Sequence, residues 1–184
     1  MAIALKKIAA LILVILSLSL QSCGSLTPTS GLKAYIDGKD GYQFFYPNGW
    51  LPVEVNKKAD AVFHDLINPS ENVSVVIGTV PEDKTLADLG QSGEVGYKLI
   101  KTAIAPPGSG KSAELLAAET RQLAGKTYYI LEYAVQLANQ QRHNLASVVV
   151  SRGKLFTFNA STSEQRWGKV KPIFEQMIKT FAVN

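Results

Sequence analysis

The sequence predicts an α+β fold in which an antiparallel β-sheet packs against a few helices. Short aromatic or β-branched runs recur between clusters of Gly, Pro, Asn and Asp, the punctuation of strands and turns. Three consecutive strand signals fill the stretch from Thr127 to Asn159. A single apolar stripe at helical spacing then closes the chain from Ser163 onward.

Taken in order, Tyr35-Ile36 precedes Asp37 to Gly41 (DGKDG), whose residues tolerate the positive φ of tight turns. Tyr42 to Tyr46 is a short aromatic strand, Pro47-Asn48-Gly49 a turn, and Trp50 to Val55 the return. Ala61 to Leu66 and Asn72 to Val80 form a further pair around Asn68-Pro69-Ser70. Between Thr85 and Ala105 the period changes, with Leu86, Leu89, Val95, Leu99 and Ile100 on one face. This predicts a helical turn over Thr85 to Leu89 and a helix over Gly93 to Ile104, stopped by Pro106-Pro107. Ser112 to Ala124 is ambiguous: its Ala, Leu and Glu favour helix, yet Glu119 to Leu123 alternates into Gly125. Thr127 to Val135, Asn144 to Ser151 and Leu155 to Asn159 are antiparallel strands joined by turns at Asn139 to Arg142 and Arg152 to Lys154. In the closing helix Ser163 is the predicted N-cap. Trp167, Val170, Phe174, Met177, Ile178 and Phe181 make its stripe, and Pro172 should bend or restart it.

A length of 184 residues suits one domain with a short appendage, and 46% apolar with 18% charged residues excludes collagen-like, coiled-coil and broadly disordered chains. Met1 to Lys7 is a positive start, and Ile8 to Leu20 is an apolar run of 13 residues. At about 1.5 Å per helical residue that run covers roughly 20 Å, short of a bilayer core near 30 Å, so it reads as a secretory signal over residues 1–22. Without Lys6 and Lys7 the formal charge is +2, which leaves no basic footprint for nucleic acid. Cys23 is the only cysteine, so no internal disulfide forms. Leu20-Gln21-Ser22-Cys23-Gly24 resembles the bacterial lipobox, with Gln21 a less common middle residue, and it predicts lipid attachment at Cys23. Residues 23–31 then form an acylated, uncharged linker and residues 32–184 the folded domain.

Chemistry-bearing patterns are sparse. Ala105 to Ser112 ends in Gly-Lys-Ser like a phosphate-binding loop, but Pro106 and Pro107 lack the N–H groups such a loop donates, so no nucleotide is expected. His64, Asp65 and His143 are weak metal candidates. The Asp37 opening echoes a calcium loop, but Asn48 stands where that loop needs Glu. No nucleophile with a placed base is evident, so no catalytic residue is assigned. Aromatic residues beside cations at turns, namely Tyr46, Trp50, Lys126 with Tyr128, and Arg166 with Trp167, are the candidate protein-binding residues.

Gly41-Tyr-Gln-Phe-Phe-Tyr-Pro-Asn-Gly-Trp50, Gly125 to Tyr129 with Leu131-Glu132-Tyr133, Gly153 to Phe156, and Arg166-Trp167 together resemble the PsbP family of extrinsic photosystem II proteins. The likeness covers nearly all of Leu32 to Asn184, and a lipobox in place of a plastid transit peptide is similar to the cyanobacterial branch. It implies an α/β/α sandwich with Ser112 to Leu123 as strand. It also implies a non-enzymatic role on the lumenal side of the thylakoid membrane, with photosystem II subunits as partners and the anchor in the lipid, assisting assembly or stabilisation of the oxygen-evolving complex. No cofactor is required, and calcium enters by family association alone. The longer N-terminal region that plant members tie to ion retention is only the linker here. The alternatives are a metal-dependent enzyme and a chaperone-like lipoprotein of the cell envelope.

Overall fold

The computed structural model describes residues 31–54 and 59–184. The signal segment, Cys23 and most of the linker lie outside them, as does Val55 at the end of its predicted strand. The strands are β1 (Leu32–Asp37), β2 (Tyr42–Pro47), β3 (Trp50–Pro52), β4 (Ala61–Asp65), β5 (Asn72–Thr79), β6 (Ser112–Leu123), β7 (Lys126–Gln136), β8 (Gln141–Ser151), β9 (Lys154–Ser163) and β10 (Ala182–Val183). A 3₁₀ turn at Ala87–Leu89 leads to helix α1 (Ser92–Leu99), which widens into a π-turn over Ile100–Ile104; helix α2 spans Glu164–Thr180. Seven strands form one antiparallel sheet in the order β3-β4-β5-β9-β8-β7-β6, and β1-β2-β10 form a second.

Alternation along the central strands assigns the two faces of the large sheet. Tyr128, Leu145, Val149, Phe156, Phe158 and Ala160 point to one side, under α2 and the small sheet. Tyr129, Leu131, Tyr133, Ala146 and Val148 point to the other, under α1 with Leu86, Val95 and Ile100. β8 is buried on both faces from His143 to Val149, as expected of a strand at the middle of a covered sheet.

Turn chemistry sets the two long hairpins. Ala124 and Gly125 (φ 50° and 75°), then Arg152 and Gly153 (φ 51° and 68°), are two-residue loops with both residues left-handed, the twist that suits adjacent antiparallel strands. The turn expected at Asn139 to Arg142 closes earlier, where Leu137 N–H donates to the Gln140 carbonyl at 2.9 Å, and β8 starts at Gln141. The run from Trp50 is a strand only to Pro52, which sits on an edge strand where a missing N–H is tolerated.

Ser112 to Leu123 is strand, as the family likeness implied. Eleven residues of β6 pair with β7, and this ladder outweighs the local helix preference of SAELLAAE. Pro172 does not break α2. It is exposed, and so is Gly168 one turn before it, so the carbonyl left without a donor faces water. Ser163 holds the N-cap position but stays paired to Arg142 in the sheet, and its hydroxyl makes no cap; the acidic Glu164 complements the helix start instead. No helix among the described residues is long and apolar enough to cross a membrane.

Candidate functional site along helix α2

α2 lies over β8 and β9 and leaves the β6–β7 edge of the same face uncovered. The gap is a groove of about 380 Å³ with a floor of Ala117, Ile130, Leu145 and Ile178. Its walls carry Glu119, Arg121 and Glu132 from the sheet, and Lys171, Glu175 and Lys179 from the helix.

At one end, His143 on β8 is buried between two carboxylates. Its Nε2 lies 2.8 Å from Glu132 Oε1, and its Nδ1 lies 2.9 Å from Glu164 Oε2. Both ring nitrogens are thus within hydrogen-bonding distance of a carboxylate oxygen. The ring stacks on Trp167 with centroids 3.9 Å apart and planes 12° from parallel. Lys171 Nζ donates to the second oxygen of Glu132 at 3.3 Å and lies over the Trp167 ring. Behind them Arg166 pairs with the buried Glu71, and Arg142 bonds Ser161 Oγ and the Ser70 carbonyl. At the other end Arg121 donates to the carbonyls of Ile178 and Lys179, satisfying the C-terminal turn of α2. Glu132 and Lys171 thus pair at one end of the groove, and Arg121 ties the C-terminal turn of α2 to β6 at the other.

The fold uses the candidate protein-binding residues unevenly. Trp50, Tyr128 and Trp167 are buried, so their rings belong to the core and are not offered to a partner: Trp50 and Trp167 meet Phe174, and Tyr128 meets Phe181. The apolar area of an indole or phenol is worth more inside than out. Tyr46 packs half-buried on Phe63, Lys126 is half-buried at its hairpin, and Arg166 is tied to Glu71.

His64 and His143 do not meet, since β5 and β9 lie between β4 and β8. Asp65 accepts the N–H groups of Ile67 and Asn68 at 2.6 and 2.7 Å and the Trp50 indole N–H at 3.1 Å. Partial burial opposes ionisation of Asp65, but these donors outweigh it and hold the carboxyl below its usual range. Asp37, Asp40 and Asp60 form a carboxylate cluster with oxygens within 4.8 Å. Its oxygens already take protein donors: Lys154 on Asp40 at 2.7 Å, the Tyr42 hydroxyl on Asp60 at 2.5 Å, and the Asp40 N–H on Asp37 at 2.7 Å. The Gly-Lys-Ser loop runs into strand β6, not into the helix that a phosphate-binding loop opens.

Sequence reasoning missed Glu132, Glu164, Lys171 and Arg121 as partners. Glu132 alternates with Leu131 and Tyr133 on a strand, a visible sign of a second, polar face, but its neighbours on β8 and α2 depend on register.

Comparison with known proteins agrees with this architecture. The PsbP family profile matches residues 30–183. CyanoP of Thermosynechococcus vestitus is 50% identical over 165 residues, covering 87% of this chain and 90% of that protein. CyanoP of Synechocystis sp. is 46% identical over 177 residues, covering 94% of each. The solution structure of cyanobacterial PsbP (CyanoP) from Synechocystis superposes with a TM-score of 0.73, covering 90% of this chain and 99% of that one. The chain belongs to the PsbP family.

Proposed function

We propose that this chain is a non-enzymatic, lipid-anchored accessory protein that binds photosystem II subunits on the lumenal side of the thylakoid membrane and assists assembly or stabilisation of the oxygen-evolving complex. Membership of the PsbP family makes it a photosystem II associated protein with a thylakoid location; the anchor at Cys23, the side of the membrane and the assembly role are the finer parts of the proposal.

The observation that carries it is the groove beside α2. Its apolar floor is framed by a network whose members hold one another in place, while Glu119, Glu175 and Lys179 have no ion-pair partner among the described residues. A rigid, partly apolar strip with unsatisfied charges of both signs suits recognition of a protein surface, where complementary charges set register. Both nitrogens of the buried imidazole are engaged within the fold, which favours a structural over a chemical use of His143. Recognition of this kind requires no cofactor.

The test is affinity capture of the intact, tagged chain from detergent-solubilised thylakoids. Photosystem II subunits should co-purify, and E175K with K179E should reduce their recovery without lowering thermal stability. Failure of the wild-type chain to retain any photosystem II intermediate rejects the reading.

A further inference from the structure

The turn between β4 and β5 shows two adjacent aliphatic side chains to solvent, Leu66 at 62% and Ile67 at 85% exposure. Leu51, 44% exposed, stands beside them on β3, in register with His64. Large aliphatic residues held out at a turn apex cost solvation and are unusual unless something covers them.

This apex is rigid. The Asp65 carboxylate accepts the N–H groups of Ile67 and Asn68, the Glu71 N–H closes on the Asn68 carbonyl at 2.8 Å, and the Trp50 indole clamps Asp65 from β3. Of its two carboxylates, Glu71 is neutralised by Arg166, while Asp65 keeps its charge but turns it inward onto the turn's own N–H groups and the Trp50 indole. With Glu71 neutralised, one acidic charge remains beside the apolar tip, so its approach to a neutral lipid surface costs less than its approach to an anionic one.

The point where the preceding chain enters the domain identifies the occupant. The Gly31 carbonyl accepts the Asn48 N–H at 2.9 Å, Asn48 lies in the turn before Trp50, and Trp50 pairs with Asp65, the residue before Leu66. By these backbone steps Gly31 and Leu66 lie within roughly 20 Å of each other, at the same end of the β1–β2 and β3–β4 hairpins. The eight residues from Gly24 to Gly31 reach about 25 Å when extended, so an acyl group on Cys23 keeps this end of the domain next to the bilayer.

We infer that the Leu66–Ile67 tip, with Leu51, is a second membrane contact that dips into the lipid interface and fixes the orientation of the tethered domain. This rests on acylation of Cys23 as proposed above. One anchor leaves a domain free to swivel, whereas an anchor with a second apolar contact restricts which face points away from the membrane.

The test uses the full, processed chain bound to vesicles of anionic and neutral galactolipid. A single environment-sensitive fluorophore is placed through I67C, Cys23 being blocked by its lipid, and in a control through I36C. Ile36 is 68% exposed and stands at the far end of β1 from Gly31. The label at 67 should shift to the blue and lose emission to lipids carrying a quencher on the acyl chain, while the label at 36 does neither. L66S with L51S should abolish the shift at 67 while the protein still sediments with vesicles. A silent label at 67 on vesicle-bound protein overturns the inference and leaves the anchor intact. A response at 67 only when photosystem II is present assigns the tip to a protein partner and also overturns it. A mass spectrum showing unacylated Cys23, with protein that does not sediment, removes the anchor and this inference together.

Discussion

The two faces of the seven-stranded sheet are built from the same strands yet are sealed differently. Under α2 and the small sheet lies an aromatic core: Phe158 stacks on Phe44 with centroids 4.5 Å apart and on Phe181 at 5.0 Å, and Phe44, Phe156, Phe158, Phe174 and Phe181 are wholly buried. Under α1 the core is mostly aliphatic, and the helix is short, contains two glycines and widens into a π-turn. Beside it an open groove of about 460 Å³ runs past Val76, Leu99, Ile104, Leu131 and Leu155. Close-packed rings leave little room to relax after a deletion, whereas a loosely covered aliphatic layer has space to settle. Stability is thus concentrated on the α2 face, the same face that supports the candidate docking groove. That arrangement keeps the recognition surface rigid.

Phe158→Ala should be the most damaging, costing about 3–5 kcal/mol in urea unfolding, because a wholly buried ring is lost and both Phe44 and Phe181 lose their stacking partner. An equally small loss would show that the aromatic face relaxes as readily as the other. His143→Ala should cost about 1–3 kcal/mol, since it leaves Glu132 and Glu164 facing a gap and removes the stack on Trp167. The same measurement on H143Q should recover part of the loss if hydrogen bonding dominates over stacking. On the opposite face Val95→Ala should cost about 1–2 kcal/mol, less than Val75→Ala beneath the aromatic core, although both residues are buried. Equal costs for the two would erase the contrast.

The smallest effect concerns pH. The Asp65 carboxyl is held below its ordinary range in the fold, so between its folded and unfolded pKa values the unfolded chain binds the extra proton. Its contribution is therefore complete above the usual carboxylate pKa and is lost as pH falls through the folded value. Asp65→Asn should flatten the acid side of the stability profile, measured by thermal unfolding between about pH 3 and pH 6. An unchanged slope would indicate that the turn bearing Leu66 and Ile67 is held by its backbone alone.

Much of the fold was legible. The long hairpins showed in Gly125 and Gly153 and in the alternation of Tyr128 to Val135, and α2 showed in the stripe from Trp167 to Ile178. The site was less so: Arg166, Trp167 and His143 were visible as residue types, but not as neighbours of Glu132, Glu164 and Lys171. Aromatic residues beside cations suggested surface anchors, and burial made core residues of Trp50, Tyr128 and Trp167. A residue type carries the capacity for an interaction, while its side of a strand is decided by the register of the whole ladder.

By itself the sequence determined what depends on a few neighbouring residues: left-handed turn positions, strand alternation, the helical stripe, the lipobox pattern and the family likeness. Tertiary structure decided what depends on partners far along the chain. It made a strand of Ser112–Leu123, carried α2 through Pro172, added β10 to the small sheet, brought Asp60 to Asp37 and Asp40, and set His143 between two carboxylates. Local preferences amount to less than about 1 kcal/mol per residue, whereas a paired strand or a buried contact gathers many such contributions at once, so where the two disagree the assembled sheet prevails.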